Sequence, residues 1–219
     1  MTNADITLYA IADPNRARGG SLAELARRAV TGGATLVQYR NKTGTTRAMV
    51  EEARDIKAAL AGTGVPLIVN DRVDVALAVG AAGVHIGQED MHPTDARRLL
   101  GDSAVIGLSV KTEAEARAAP VELLDHVFVG AVFETTAKDN PAPIGVEGWR
   151  RLAAILRERK PGFTVGAIAG ISAGNAGPLI AAGADGVSAI AAMFMADDVE
   201  AAARELRGVV DAARREQAA

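Results

Sequence analysis

The sequence predicts a single (β/α)8 barrel, or TIM barrel, an α/β fold with a parallel eight-stranded sheet that occupies residues 1–219 as one domain. Short apolar runs typical of strands alternate with Ala- and Arg-rich stretches at helical spacing along the chain. Eight such units in 219 residues indicate a closed barrel. Gly-Ala pairs that end a helix and lead into a strand recur at 33–34, 80–81 and 183–184 as a partial internal repeat.

The predicted strands are all short and are separated by helical patterns. The strand candidates are 6–12, 35–40, 66–70, 83–87, 105–110, 126–133, 164–170 and 186–191. Helical spacing is clear at 45–61 and 147–159. The alternative is an open, doubly wound sheet, which usually starts with a G-x-G-x-x-G turn that this chain lacks. Active sites of barrels lie at the carboxyl ends of the strands, so functional residues are expected there.

The composition is ordinary for a globular protein and argues against several functions. Hydrophobic residues make up 49% of the chain, while a net charge of −3 and only 3% aromatic residues argue against nucleic-acid binding. The chain has no cysteine, which excludes disulfides and cysteine nucleophiles. No signal peptide and no run of about 18 apolar residues is visible, so we expect a cytoplasmic protein without a membrane partner. Small molecules are the expected partners, and a homo-oligomer is left open.

Polar residues follow the second predicted strand on one face. Side chains alternate along a strand, so Gln38, Arg40 and Lys42 share the face that Leu36 begins, and Tyr39 points toward the helices. Arg and Lys suit phosphate oxygens, which predicts a cradle for an anionic ligand. The alternative is a structural ion pair with a carboxylate on a neighbouring strand.

Two acids follow the third and fourth predicted strands. Asp71 and Asp90 are expected to lie near each other and near these cations, an arrangement that magnesium uses when substrate phosphates complete its shell. The alternatives are a helix N-cap for Asp71 and a solvated loop acid for Asp90. His85, within the fourth strand, is interpreted as a packed, hydrogen-bonded residue rather than a catalyst.

The later strand ends predict a second anion site. The long segment after the sixth strand, from Thr135 to Lys138 and on to about residue 146, suits a binding loop, with a solvated surface loop as the alternative. Loops after strands 7 and 8 of barrels often hold phosphate on backbone N–H groups, and Gly170 would allow a close approach.

Several motifs at these strand ends resemble the thiamine-phosphate synthase family, in the same order and over nearly the whole chain. They are Gln38-x-Arg40-x-Lys42, Val69-Asn70-Asp71-Arg72, Gly83-Val84-His85-Ile86-Gly87-Gln88-x-Asp90 and Gly107-Leu108-Ser109-Val110. The resemblance implies an enzyme that joins 4-amino-2-methyl-5-hydroxymethylpyrimidine diphosphate to a thiazole phosphate with Mg²⁺ and releases pyrophosphate. It implies that the diphosphate loss is dissociative and that the thiazole nitrogen captures the pyrimidine cation.

The same resemblance implies the roles of individual residues. Asp71 and Asp90 would bind magnesium, and Arg40, Lys42, Ser109 and Lys138 would be catalytic. The pyrimidine diphosphate would be held by Gln38, Tyr39, Arg40, Asn41, Lys42, Asn70, Ser109 and Lys138. The thiazole phosphate would be held by Thr135, Thr136, Ala137, Gly170, Ile190 and Ala191.

Three departures from the family pattern fall on the thiazole-phosphate side: Ala137 stands where the family commonly has Thr or Ser, Ala169 where it often has Gly, and Ala191 where it often has Ser. A related thiazole tautomerase is the nearest competing function. For it we would expect loss of the diphosphate–magnesium residues and a histidine near Ser109, and the sequence indicates neither. Sugar-phosphate epimerases would need an acid–base pair, and a catalytically dead barrel would be favoured by loss of Asp71, Asp90 or Lys42, which are all present.

Overall fold

The computed structural model describes residues 4–134 and 142–218. Its eight strands form a closed barrel in sequence order, and every pairing is parallel. The barrel closes where Leu8 of the first strand pairs with Val187 of the eighth. The strands are β1 (Leu8–Ala12), β2 (Leu36–Tyr39), β3 (Leu67–Asn70), β4 (Gly83–Ile86), β5 (Val105–Val110), β6 (His126–Val129), β7 (Val165–Ile168) and β8 (Val187–Ala189). The predicted (β/α)8 fold is confirmed.

Helices connect the strands on the outside of the barrel. They are α1 (Leu22–Thr31), α2 (Thr46–Ala59), α3 (Val73–Val79), α4 (Pro93–Leu100), α5 (Glu113–Ala118), α6 (Gly145–Arg159), α7 (Ala173–Ala181), α8 (Ala191–Phe194) and α9 (Val199–Ala218). None of the helices in the described part of the chain is both long and apolar enough to cross a membrane.

The predicted strands correspond to the observed ones but several extend too far. The sixth was predicted to reach residue 133 and ends at Val129, and the eighth was predicted to reach residue 191 and ends at Ala189. Ala191 instead begins α8. Apolar composition continues past these strand ends because the first residues of the loops are also buried, as Ala131, Val132 and Ile190 are.

Local sequence sets where the helices begin and end. Ser21, Thr45 and Thr112 are N-cap residues whose hydroxyls accept a hydrogen bond from the backbone three residues on, which satisfies one otherwise unpaired amide in each helix. At the end of α3, Gly80 takes the left-handed conformation with φ +59°, which glycine adopts without the steric penalty of a Cβ. These residues define the ends of the helices that cover the barrel.

Two apolar cores follow from the alternation of side chains along each strand. The outer core lies between barrel and helices and includes Val37 and Tyr39 of β2. A smaller inner core includes Tyr9, Leu36 and Phe128. The face assignment predicted for the second strand is therefore as observed, with Leu36 inside and Tyr39 outside.

Four rings contact one another inside the barrel: Tyr9, His85, His126 and Phe128. The two histidine rings are stacked with centroids 5.6 Å apart. They fit because Gly107 has no side chain, since a Cβ there would lie 2.2 Å from Nε2 of His126. Gly107 thus sets the packing directly beneath the strand ends.

Candidate active site

A strand-end cleft lies at the carboxyl ends of the strands. It is lined by Arg40, Lys42, Asn70, Asp71, His85, Gly87, Gln88, Glu89, Asp90, Ser109, Lys111 and Glu115. An adjoining apolar cavity lies beside the ends of β6, β7 and β8 and includes Gly170, Ile190 and Ala191 in its lining. Ser109 and Lys111 border both spaces. The cleft and the cavity, at the strand ends for which two anion sites were predicted, therefore adjoin each other.

Arg40, after β2, is held by a carboxylate after β1. The register Ala12↔Tyr39 makes the next residues, Asp13 and Arg40, neighbours, and their side chains form an ion pair. Asp13 is fully buried and also accepts a hydrogen bond from the Asn15 amide at 2.9 Å. The structural ion pair considered for Arg40 is thus present, although Arg40 also borders the cleft. Asp13 was not among the residues predicted for the site, although it directly follows the first predicted strand, which was the available signal.

Lys42 forms an ion pair with Asp71 across the cleft. The pKa of Asp71 is raised to about 6, mainly by burial and next by the adjacent Asp90 carboxyl. Lys42 opposes that rise. Asp90 is held in place because its Oδ2 accepts a hydrogen bond from the Gly87 amide at 2.7 Å. The two acids are therefore brought together as the sequence predicted.

The backbone conformation of Asp71 is not that of a helix N-cap residue. Its φ is +60°, a left-handed conformation that Asp tolerates better than most residues, and its amide donates to the carbonyl of His85 at 2.9 Å. The N-cap position of α3 is Arg72, whose side chain makes no capping hydrogen bond. The N-cap interpretation of Asp71 is therefore wrong.

Three residues assigned to the diphosphate site, Gln38, Tyr39 and Asn41, form hydrogen bonds with other side chains of the protein. Gln38 is buried and donates to the Tyr9 hydroxyl inside the barrel. The Tyr39 hydroxyl donates to Glu52 of α2, and Asn41 donates to the same carboxylate at 3.1 Å while its Oδ1 accepts from the amides of the following turn. These side chains fix the end of β2 and the loop that carries Arg40 and Lys42.

Ser109 near the end of β5 has a histidine partner. Nε2 of His85 lies 2.8 Å from Oγ of Ser109, and the Ser109 carbonyl accepts from Gln88 at 2.7 Å. Asn70 pairs in register with His85 at the end of β3. The expectation that no histidine lies near Ser109 is therefore wrong. His85 and Ser109 are 24 positions apart in sequence, and the pairing of β4 with β5 brings them together.

The turn after β7 contributes Gly170 to the lining of the apolar cavity. Gly170 has φ +67°, and a Cβ there would lie 2.3 Å from the carbonyl oxygen of Glu134, so only glycine fits the turn. Asn175 fixes this turn by donating to the Gly170 carbonyl at 2.8 Å and accepting from the Ser172 amide. Ile190 is the N-cap residue of α8, and Ala191 is its exposed first residue.

The four residues assigned to the loop after β6, Thr135, Thr136, Ala137 and Lys138, lie outside the described residues. Among the residues described, no group of three or more His, Asp or Glu side chains could hold a metal ion. A cation bound by Asp71 and Asp90 would therefore need further ligands from water or substrate.

The fold and the site together define a barrel enzyme whose strand-end cleft combines paired acids with cations and opens beside an apolar cavity. A family model described as thiamine monophosphate synthase matches residues 8–193. The chain belongs to this family. The resemblance predicted from the strand-end motifs is confirmed.

Individual relatives agree with the family model. The chain is 50% identical to a thiamine-phosphate synthase of Agrobacterium fabrum over 97% of both chains. It is 45% identical to one of Chloroflexus aurantiacus over 94% of this chain and 93% of the relative. A solved thiamine phosphate pyrophosphorylase from Pyrococcus furiosus superimposes with a TM-score of 0.83 at 35% identity, covering 96% of this chain and 98% of the other. The chain is accordingly an enzyme, a transferase of thiamine biosynthesis.

Proposed function

We propose that the protein transfers the pyrimidinylmethyl group of 4-amino-2-methyl-5-hydroxymethylpyrimidine diphosphate to a thiazole phosphate. The carbon–oxygen bond to the diphosphate breaks and its electron pair leaves with pyrophosphate. The thiazole nitrogen then forms the new carbon–nitrogen bond with its lone pair. The observation that carries this proposal is the Asp71–Asp90 pair beside Lys42 and Arg40, in a cleft that shares Ser109 with an apolar cavity.

The acid pair fits a magnesium ion. The Asp90 carboxyl beside Asp71 disfavours the ionised form of Asp71 and is, after burial, the next cause of its raised pKa, which Lys42 only partly opposes. Hard oxygen ligands in this small number suit Mg²⁺ that takes its remaining ligands from phosphate and water. Bound there, magnesium would supply positive charge to the leaving diphosphate.

The protein's own cations would act on the same charge. Arg40 and Lys42 border the cleft and are proposed to bind diphosphate oxygens, so that negative charge growing on the leaving group is stabilised in the transition state. Lys138 is proposed to join them. Ser109, which borders both spaces, is proposed to contact the pyrimidine near the forming bond, with Asn70 at the diphosphate side.

The second substrate is assigned to the apolar cavity. Gly170, Ile190 and Ala191 line it, and Thr135, Thr136 and Ala137 are proposed to complete it. Holding both substrates in adjoining spaces converts a bimolecular encounter into a reaction between oriented groups, which is a large part of the expected rate gain.

The experiment is a measurement of pyrophosphate release on mixing the purified protein with the pyrimidine diphosphate, the thiazole phosphate and Mg²⁺. We expect release and thiamine phosphate formation only with both substrates, and loss of both with EDTA. Full activity in EDTA would contradict the metal assignment. Absence of thiamine phosphate in the complete mixture would contradict the function.

Thiazole-phosphate isomerisation is a second candidate, which the contact between His85 and Ser109 favours. The acid pair and its neighbouring cations argue for the transferase, because isomerisation involves no diphosphate. Incubation of the thiazole phosphate alone separates the two functions. Conversion of this substrate to an isomer without the pyrimidine diphosphate would support the second candidate.

A further inference from the structure

We propose that Lys111 is a further substrate-contacting residue, which binds the diphosphate from the side of the cleft opposite Arg40 and Lys42. This inference rests on the proposed function. Lys111 follows β5 and lines both the strand-end cleft and the apolar cavity. It therefore lies at the boundary where the departing diphosphate and the incoming second substrate would meet.

The backbone and stem of Lys111 are fixed in this position. Its amide donates to Oε2 of Glu115 at 2.5 Å, which anchors the turn into α5. Its aliphatic stem lies over Gly130 at the end of β6, where a Cβ would stand 3.3 Å from Cγ of Lys111. A bare glycine thus gives the lysine stem, from Cγ to Cε, room along the end of β6.

The ammonium of Lys111 also differs from the other cations of the cleft in its charge partners. Arg40 is paired with Asp13, and Lys42 with Asp71. Within the described residues, no carboxylate forms an ion pair with Lys111; Glu115 accepts from its backbone instead. A half-buried cation that no acid neutralises has the most to gain from an anionic ligand.

The order of the strands gives the three cations distinct places. Arg40 and Lys42 follow β2, Asp71 and Asp90 follow β3 and β4, and Lys111 follows β5. The acids therefore lie between cations on either side. A diphosphate has two phosphoryl groups, so one can face β2 while the other faces Lys111.

The test is calorimetric binding of inorganic pyrophosphate in the presence of Mg²⁺. Lys111→Met keeps the stem and removes the charge, so we expect about 10- to 100-fold weaker binding, the range for one charge-assisted contact. Lys111→Arg should restore affinity to within a few-fold of the unmodified protein. Arg215→Met is the control, because it removes one charge at the exposed end of α9 and should leave affinity unchanged.

Affinity of Lys111→Met within about twofold of the unmodified protein would overturn the proposal. An equal loss in Arg215→Met would also overturn it, since the effect would then be that of net charge. Unchanged thermal unfolding of Lys111→Met shows that a weaker binding constant reports on the ligand rather than on folding.

Steady-state kinetics distinguish the two substrates. We expect Lys111→Met to raise KM for the pyrimidine diphosphate and to leave KM for the thiazole phosphate nearly unchanged. An increase only in the KM for the thiazole phosphate would overturn the assignment of Lys111 to the diphosphate. If the unmodified protein binds pyrophosphate through Lys111 yet forms no thiamine phosphate, the proposed function fails while the Lys111 contact stands.

Discussion

At the scale of single residues, Asp71 contacts groups of both charge signs. The Lys42 ammonium pairs with it, while burial and the Asp90 carboxyl raise its pKa to about 6. At neutral pH its ionised form is therefore less favourable in the folded protein than in the unfolded chain, and the residue does not stabilise the fold. Its side chain is only 15% exposed, and acids whose pKa is raised by burial and a neighbouring carboxyl cluster at functional sites.

We expect Asp71→Asn to lower kcat by about two orders of magnitude or more, because the proposed magnesium site loses one of its two protein carboxylates. The same change should leave the melting temperature equal or slightly higher, since a disfavoured charge is removed. Asp102→Asn, at an exposed turn, is the matched control and should keep full activity. Near-full magnesium-dependent activity of Asp71→Asn would contradict the metal assignment.

At the scale of elements, the turn after β7 departs from what its sequence favours. Ala169 has φ +88°, a region that costs a residue with a Cβ about 1–2 kcal/mol. The next residue, Gly170, is also left-handed and is held by Asn175. This strain is the physical meaning of the Ala169 departure from the family pattern. Sequence alone identifies the substitution but not the backbone conformation that makes it costly.

We expect Ala169→Gly to stabilise the protein by about 1 kcal/mol, after the greater flexibility of glycine in the unfolded chain offsets part of the gain. For a chain of this size that corresponds to a rise of about 2–4 °C in melting temperature. Gly170→Ala should lower it, because a Cβ would lie 2.3 Å from the Glu134 carbonyl oxygen. Thermal unfolding of the two variants measures both expected changes in melting temperature. A lower melting temperature for Ala169→Gly would show that the turn is not strained.

At the scale of the whole molecule, periodicity was sufficient to predict the fold but not the contacts across it. Eight apolar runs predicted eight parallel strands, and alternation placed Leu36 inside and Tyr39 outside. The pairs Asp13–Arg40 and His85–Ser109 join different strands. Their distances depend on register and on the space left by Gly107, which a one-dimensional pattern does not contain.

At the scale of the whole barrel, the free energy of unfolding depends on pH, and one source of this dependence is His126 in the interior. Burial lowers the pKa of His126 from 6.5 to about 4, in a ring cluster with Tyr9, His85 and Phe128. Between these two pH values the unfolded chain takes up a proton that the folded chain does not. The contribution of neutral His126 is therefore complete above pH 6.5 and is lost as the pH falls toward 4.

We expect the free energy of unfolding to fall by about 2 kcal/mol from His126 alone between pH 7 and pH 5. Urea unfolding at the two pH values measures the difference. His126→Phe keeps an aromatic ring at this position and removes the titrating group. The free energy of unfolding of this variant should therefore fall by about 2 kcal/mol less between pH 7 and pH 5. An equal pH dependence in both proteins would show that His126 is not the source.

The ion pair between Lys42 and Asp71 links the affinities of the two ligands proposed for the strand-end cleft. A divalent cation that takes Asp71 as a ligand competes with Lys42 for the same carboxylate, and a phosphate that takes Lys42 releases Asp71. Each ligand therefore removes the partner that opposes the other. The affinities of the proposed ligands would therefore be thermodynamically coupled, and by reciprocity the factor by which pyrophosphate strengthens magnesium binding would equal the factor by which magnesium strengthens pyrophosphate binding.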